Sequence, residues 1–120
     1  MTYAVIDTNV IVSALITKNP QSPTVKVLEG VFAGRISPVY NDEILSEYID
    51  VLSRAKFHLP EEYIYPIVDY ISRFGIRAER LPYGADMPDE GDRPFYEVSL
   101  GYEESYLVTG NLKHFPISPK

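Results

Sequence analysis

The chain has 120 residues, 45% of them hydrophobic and 12% aromatic, which suits one compact domain with a real core and excludes a disordered segment. It has no cysteine, which excludes disulfides, zinc–thiolate sites and cysteine nucleophiles. A formal net charge of -6 counts against a general nucleic-acid-binding module, but not against a nuclease, because bound metal ions reverse the charge that carboxylates present to phosphate.

Predicted strands and helices alternate along the chain. Thr2 to Ile6 is an apolar, β-prone run and reads as a buried strand. Asp7-Thr8-Asn9 interrupts it, and Asn9 or Thr8 caps a helix through Val10 to Ile16. Lys18 to Pro23 is a polar loop with prolines. Ser22 before Pro23 starts a second helix, which runs to about Ala33 and stops at Gly34. Arg35 to Tyr40 is the second strand. Asn41 caps a third helix, Asp42 to about Arg54, whose first-turn Asp42 and Glu43 suit the helix dipole. Pro60 opens a further helix that Gly75 ends and that Pro66 kinks or restarts. Ile76 to Leu81 is the third strand, and Tyr83 to Gly91 an acidic loop. Asp92 to Glu103 is a helix with Pro94 in its first turn. Tyr106 to Thr109 is the fourth strand, ended by Gly110.

This alternation predicts an α/β fold with a mainly parallel sheet, in one domain spanning residues 1–120. Four strands are visible. The chain stops at Lys120 soon after the fourth, so a fifth, C-terminal edge strand lost by truncation is left open. No apolar stretch approaches the roughly 20 residues that cross a bilayer, and the N-terminus has no secretory pattern. A cytoplasmic protein is the simplest expectation.

In open α/β sheets, ligands bind beyond the carboxyl ends of the strands. Asp7 follows the first strand there. Asp42, Glu43 and Glu47 follow the second, Asp86, Asp89, Glu90 and Asp92 the third, and Asn111 the fourth. Hard divalent cations take oxygen donors of this kind, and such metals activate water and steady the leaving oxygen of a phosphodiester. Val5 and Ile6 lead straight into Asp7 and would bury it. A buried carboxylate without a partner is expensive, so Asp7 is read as functional, with a plain helix cap as the alternative. Glu47 lies near the edge of the apolar stripe Ile44, Leu45, Tyr48, Ile49 and Leu52 and leans toward the sheet edge. Asp42 and Glu43 are read as dipole residues, and Asp86, Asp89 and Glu90 as solvated loop acids. Asp92 is a ligand or a helix cap. His58 reads as a surface or half-buried side chain, whereas His114, three residues after Asn111, is within reach of the site. No serine triad and no glycine-rich phosphate loop is present.

Four stretches carry a family resemblance. Val5-Ile6-Asp7-Thr8-Asn9-Val10-Ile11-Val12-Ser13-Ala14-Leu15 resembles the opening of a PIN domain. Asn41 to Tyr48 resembles its second acidic motif, Gly91-Asp92-Arg93-Pro94-Phe95 the third, and Leu107 to Phe115 the fourth. The likeness runs in order over nearly the whole chain and is closest to PIN proteins classed as toxins of toxin–antitoxin systems. It implies a three-layer PIN-like fold, with helices flanking the four- or five-stranded sheet. It implies that Asp7, Glu47 and Asp92 are catalytic acids and metal ligands for Mg²⁺ or Mn²⁺. Thr8, Asn9 and Thr109 would support them. Asn111 would be a fourth ligand, where the family often has Asp, and an amide oxygen holds Mg²⁺ more weakly than a carboxylate does.

The implied activity is that of a metal-dependent endoribonuclease with an RNA substrate, a cognate antitoxin and a homodimeric state. The alternative is a degenerate PIN fold that binds RNA or a protein without cutting, a reading that Asn111 and the acidic balance favour. A phosphotransfer enzyme with Asp7 as nucleophile would need a second Asp two residues on, and Asn9 stands there.

Overall fold

The computed structural model describes residues 1–110, built as β1 (Thr2–Ile6), α1 (Thr8–Ile16), α2 (Pro23–Phe32), β2 (Ile36–Tyr40), α3 (Asp42–Leu52), α4 (Glu61–Phe74), β3 (Ile76–Arg77), α5 (Arg93–Gly101) and β4 (Ser105–Val108). The strands form one sheet in the order β3-β2-β1-β4, and every pairing is parallel. β1 is an inner strand, aligned Thr2 with Ile36 on one side and Ile6 with Val108 on the other. Its Ala4, Val5 and Ile6 are all buried, without alternation, as expected of a strand covered on both faces. The chain steps outward from β1 to β2 to β3, then crosses back beyond β1 to β4. With right-handed crossovers, that reversal sends helices to both faces and makes the fold a three-layer α/β structure.

One apolar cluster joins the layers. Val5 and Ile6 of β1, Ile11 of α1 and Val39 of β2 share it with Ile44, Tyr48 and Leu52 of α3. Ile64 and Ile71 of α4 and Phe95 and Val98 of α5 complete it. None of the described helices is long and apolar enough to cross a membrane.

Several boundaries differ from the sequence expectation. α1 starts at Thr8, because Asp7 rather than Asn9 or Thr8 occupies the cap position and its carboxylate accepts the Asn9 N–H. Ser22 does sit at the start of α2, but its hydroxyl meets Thr24 Oγ1 and makes no cap bond. Asn41 caps α3 through the Ile44 N–H at 2.9 Å, and that helix ends at Leu52 rather than near Arg54. α4 neither breaks nor restarts at Pro66. That residue is exposed, so the carbonyl it leaves without a partner opens to water, while Ile64, Ile67, Val68 and Ile71 hold the opposite side in the core.

The largest departure is β3, which has two residues instead of the expected run to Leu81. The Ala78 N–H still reaches the Tyr40 carbonyl, but beyond it the chain leaves β2 and lies along α5. There the Leu81 N–H donates to the Glu97 carbonyl at 2.9 Å. Gly101 makes this approach possible, because a Cβ at that position would land on the Glu79 carbonyl oxygen. The helix expected over Asp92 to Glu103 is correspondingly shorter, a 3-10 turn at Glu90–Asp92 followed by α5. Replacing Gly101 by Ala therefore overpacks a backbone contact and should destabilise the fold by about 1–3 kcal/mol. Urea denaturation will read this as a lower midpoint at constant slope, and an unchanged midpoint would contradict the close packing.

Candidate functional site

Asp7 closes β1 at the point where the sheet changes winding direction, between β1 and β4, and only 3% of its surface is exposed. Open α/β sheets bind ligands at such switch points. Its N–H donates to the Val108 carbonyl and its carbonyl accepts the Val10 N–H, both at 2.9 Å. Oδ2 accepts the Thr109 hydroxyl at 2.8 Å, and Oδ1 faces the Asn9 N–H at 3.4 Å. One carboxylate thus caps α1 and is pinned to the end of β4. The Asn9 side chain is exposed, and its bond to Asp7 is made by the backbone.

Glu47 reaches the same place from α3. The buried Thr8 donates its hydroxyl to Glu47 Oε2 at 2.7 Å. The neighbouring Tyr48 is fully buried and donates its hydroxyl to the Ile6 carbonyl at 2.5 Å. Consecutive residues of α3 therefore grip the backbone just before Asp7 and the side chain just after it. The sequence places Tyr48 in the apolar stripe, which it joins, but carries no sign of its hydroxyl's task.

Burial raises the Glu47 carboxyl above its ordinary value. The Thr8 hydroxyl opposes that shift, and the negative charge of Asp7 adds to it. The Tyr48 phenol is pushed far above its ordinary value, first by burial and then by the charges of Asp7 and Glu47, so it remains a protonated donor. Two carboxylates of like charge with orienting hydroxyls make a donor set whose repulsion a hard cation would relieve.

Asp92 lies in the 3-10 turn that opens α5, and its Oδ2 is shielded from solvent. Its carboxyl does not cap α5. A short reversal after Gly101 leads into β4, so α5 runs against the strands and begins toward their carboxyl edge, packed on β1, β2 and β4. Among the described residues, however, no three His, Cys, Asp or Glu side chains are grouped closely enough to hold a metal ion. Asp7 and Glu47 are linked to one shared cluster of bonds, and Asp92 does not complete a three-acid group with them. Asn111 and His114 lie outside the described residues. His58 is exposed, in a left-handed conformation at φ 53°.

A second network, invisible to motif reading, holds the loop that leads to Asp92. Glu97 of α5 is 5% exposed. It accepts Arg80 Nε at 2.8 Å, the Tyr83 N–H at 2.9 Å and Arg93 Nη1 at 3.4 Å. Arg93 also donates to the carbonyls of Tyr83 and Ala85, at 2.6 and 2.8 Å, and pairs with Glu90. Burial acts to raise the Glu97 carboxyl, but the Tyr83 N–H and the two guanidinium groups together hold it below its ordinary value. A faint signal exists in the sequence. Glu97 stands alone among Phe95, Tyr96 and Val98, four residues after Arg93 on one helix.

The loop acids Asp86, Asp89 and Glu90 are exposed, as expected, though two of them also have partners. Asp89 caps the 3-10 turn through the Gly91 N–H, and Glu90 is held below its ordinary value chiefly by its bond to Arg93. Asp42 and Glu43 go beyond a dipole role and pair with Arg77 and Arg80.

This geometry accompanies a family match. A family model described as the PIN domain matches residues 3–113, and the chain belongs to that family. Comparisons with curated proteins and with solved structures found no match. PIN domains are, as a class, nucleases.

The raised Glu47 carboxyl has a measurable consequence for the metal-free protein. Folded Glu47 keeps its proton to higher pH than the unfolded chain, whose ordinary value is 4.5. Between those two values the folded state binds more protons, so stability falls as pH rises. Glu47→Gln removes this loss and keeps an oxygen for the Thr8 hydroxyl. The stability of the variant relative to the parent should be flat below pH 4.5 and grow above it. Urea titrations across the pH range will measure it, and a constant difference would refute the assignment.

Proposed function

We propose that the protein is a metal-dependent endoribonuclease that hydrolyses RNA phosphodiesters, with Asp7, Glu47 and Asp92 as its acidic residues. The observation that carries this reading is Asp7 itself, a buried carboxylate fixed by Thr109 at the switch point of the sheet, with Glu47 linked through Thr8 beside it. PIN nucleases typically use divalent metals. Mg²⁺ needs only one or two protein carboxylates when water and substrate phosphate fill its remaining positions, so Asp7 and Glu47 would hold it, or Mn²⁺, without a third acid in contact. The ion would supply Lewis-acid polarisation of the phosphoryl group and a water of lowered pKa.

The chain's own residues do the rest. Thr109 and Thr8 orient the two carboxylates, Tyr48 holds the end of β1, and the Glu97–Arg93 pair keeps Asp92 at the start of α5. Asn111 would add an amide oxygen from the segment after β4.

The resemblance to toxin-branch PIN proteins extends the proposal to a cytoplasmic toxin, a single domain over residues 1–120, with a cognate antitoxin that blocks the acidic cleft. Exposed Tyr63, Tyr65, Phe74 and Tyr106 offer aromatic surface for that partner or for a homodimer. A second reading is favoured by one observation, the lack of a three-acid group among the described residues. In it the domain binds RNA or a protein partner without cutting.

Purified protein with Mg²⁺ or Mn²⁺ and a panel of RNAs tests both. Asp7→Asn keeps one oxygen for the α1 cap and lets its amide N–H donate to the Thr109 hydroxyl, reversing that bond, so the fold should persist by circular dichroism. Cleavage should fall by at least about 100-fold, beyond the 10–100-fold usual for loss of an outer partner. Thr109→Val, which removes such an outer partner, should lose about 10–100-fold. Cleavage that survives in Asp7→Asn would remove Asp7 from the site. Binding without product in the parent protein would favour the second reading.

A further inference from the structure

Arg77, the last residue of β3, and Arg80, three residues on, line a cleft of about 360 Å³ shared with Glu79, Asn41 and the first turn of α3. Both guanidinium groups are held from behind. Arg80 Nε is fixed by the buried Glu97 at 2.8 Å, while Nη1 points outward to both oxygens of Glu43, at 2.8 and 2.9 Å. Arg77 lies 5.4 Å from the centroid of the Tyr40 ring and pairs outward with Asp42.

The outer partners differ in kind from the inner ones. The Asp42 and Glu43 side chains are 80% and 54% exposed, against 6% for Glu97. Exposed ion pairs contribute little and exchange readily with water and other anions. The inner anchors remain in place during such an exchange, which leaves two arginine forks preset for a phosphate. Arg93, the other arginine of this loop, is committed to Glu90, Glu97 and two loop carbonyls. Asp42 and Glu43 stand one turn before Glu47 on α3, so the cleft adjoins the proposed catalytic carboxylates along the same helix.

We propose that Arg77 and Arg80 form a backbone-phosphate subsite for the RNA strand flanking the scissile bond, and that Asp42 and Glu43 guard it in cis. The acids occupy the arginines in the free protein, and RNA phosphates displace them. This rests on the ribonuclease reading given above. The guard weakens binding of any single phosphate and leaves tight binding to a strand that also engages the catalytic carboxylates through a metal.

The test is fluorescence polarisation of a labelled 12-nucleotide single-stranded RNA in EDTA, across a salt series. Arg77→Gln/Arg80→Gln should weaken binding and lower the salt slope by about 1.4, from two phosphate contacts at about 0.7 each. Asp42→Asn/Glu43→Gln should tighten binding several-fold. Glu103→Gln/Glu104→Gln makes the same charge change at exposed residues before β4, at the opposite edge of the sheet, and should shift binding less than twofold. If Arg80→Gln disturbs folding by freeing Glu97, Arg77→Gln alone should lower the slope by about 0.7.

Arginine variants that bind like the parent overturn the subsite. So does an acid variant that gains no more than the Glu103/Glu104 control. The same variants are assayed for cleavage with Mn²⁺. Cleavage with unaltered arginine-variant binding overturns the subsite and leaves the nuclease reading intact. Shifted binding without any cleavage by the parent keeps the subsite and overturns the nuclease reading.

Discussion

A single buried carboxylate organises this molecule. Asp7 ends an inner strand at 3% exposure, where an ionised group is costly unless it is met by donors. The Thr109 hydroxyl meets it from just beyond β4, 102 residues along the chain, and the Asn9 amide of α1 lies on its other side. The constraint spreads from there. The Thr109 bond ties the ends of β1 and β4 together, and the Asp7 N–H to the Val108 carbonyl continues the ladder between them. Tyr48 must bury its ring for its hydroxyl to reach the Ile6 carbonyl, so α3 is locked to the same spot, and Glu47 with it.

A second buried acid performs a structural task of the same kind. The segment between β3 and α5 is rich in prolines and acids and has no strand to join. Its order comes from Glu97, which gathers two arginines and a backbone amide from residues 80 to 93. The small apolar contact of Met87 with Tyr96 adds to this but could not by itself organise a loop of that length. An interior ion with every donor satisfied specifies one conformation sharply, because any displacement exposes an unmatched charge to a low-dielectric surrounding. The loop ends at Asp92, so the precision of that acid is inherited from Glu97.

The two networks meet at the carboxyl edge of the sheet and divide the charges there. Arg93 is absorbed into the interior of the loop. Arg77 and Arg80 look outward but carry acid partners. For the RNA binding proposed above, a chain of net charge -6 must still present cations, and among the described residues Arg77 and Arg80 do so at this edge. Membership of the PIN family makes nuclease chemistry the class of function. The described residues bond Asp7 to Thr109 and Glu47 to Thr8, the residue that follows Asp7.

The local chain chemistry already determined the element types. Ala4, Val5 and Ile6 in unbroken sequence demand a strand covered on both faces. Asn41 before two acids demands a helix start, and Gly34, at φ 79°, demands a stop. These signals live within a few residues, so they survive reading in one dimension. The resemblance to PIN domains likewise implied Asp7, Glu47 and Asp92 as a set. Tertiary structure decided the rest. It made Asp7 the cap of α1 in place of Thr8 or Asn9, because the strand delivers its carboxylate to the Asn9 amide. It cut β3 to two residues, because Gly101 lets the following backbone bond to α5 in place of β2. It made Glu97 a buried hub and joined Thr109 to Asp7. Each of these is a pairing between donors and acceptors far apart in sequence, and such a pairing has no energy until the sheet and helices have brought both partners out of water together.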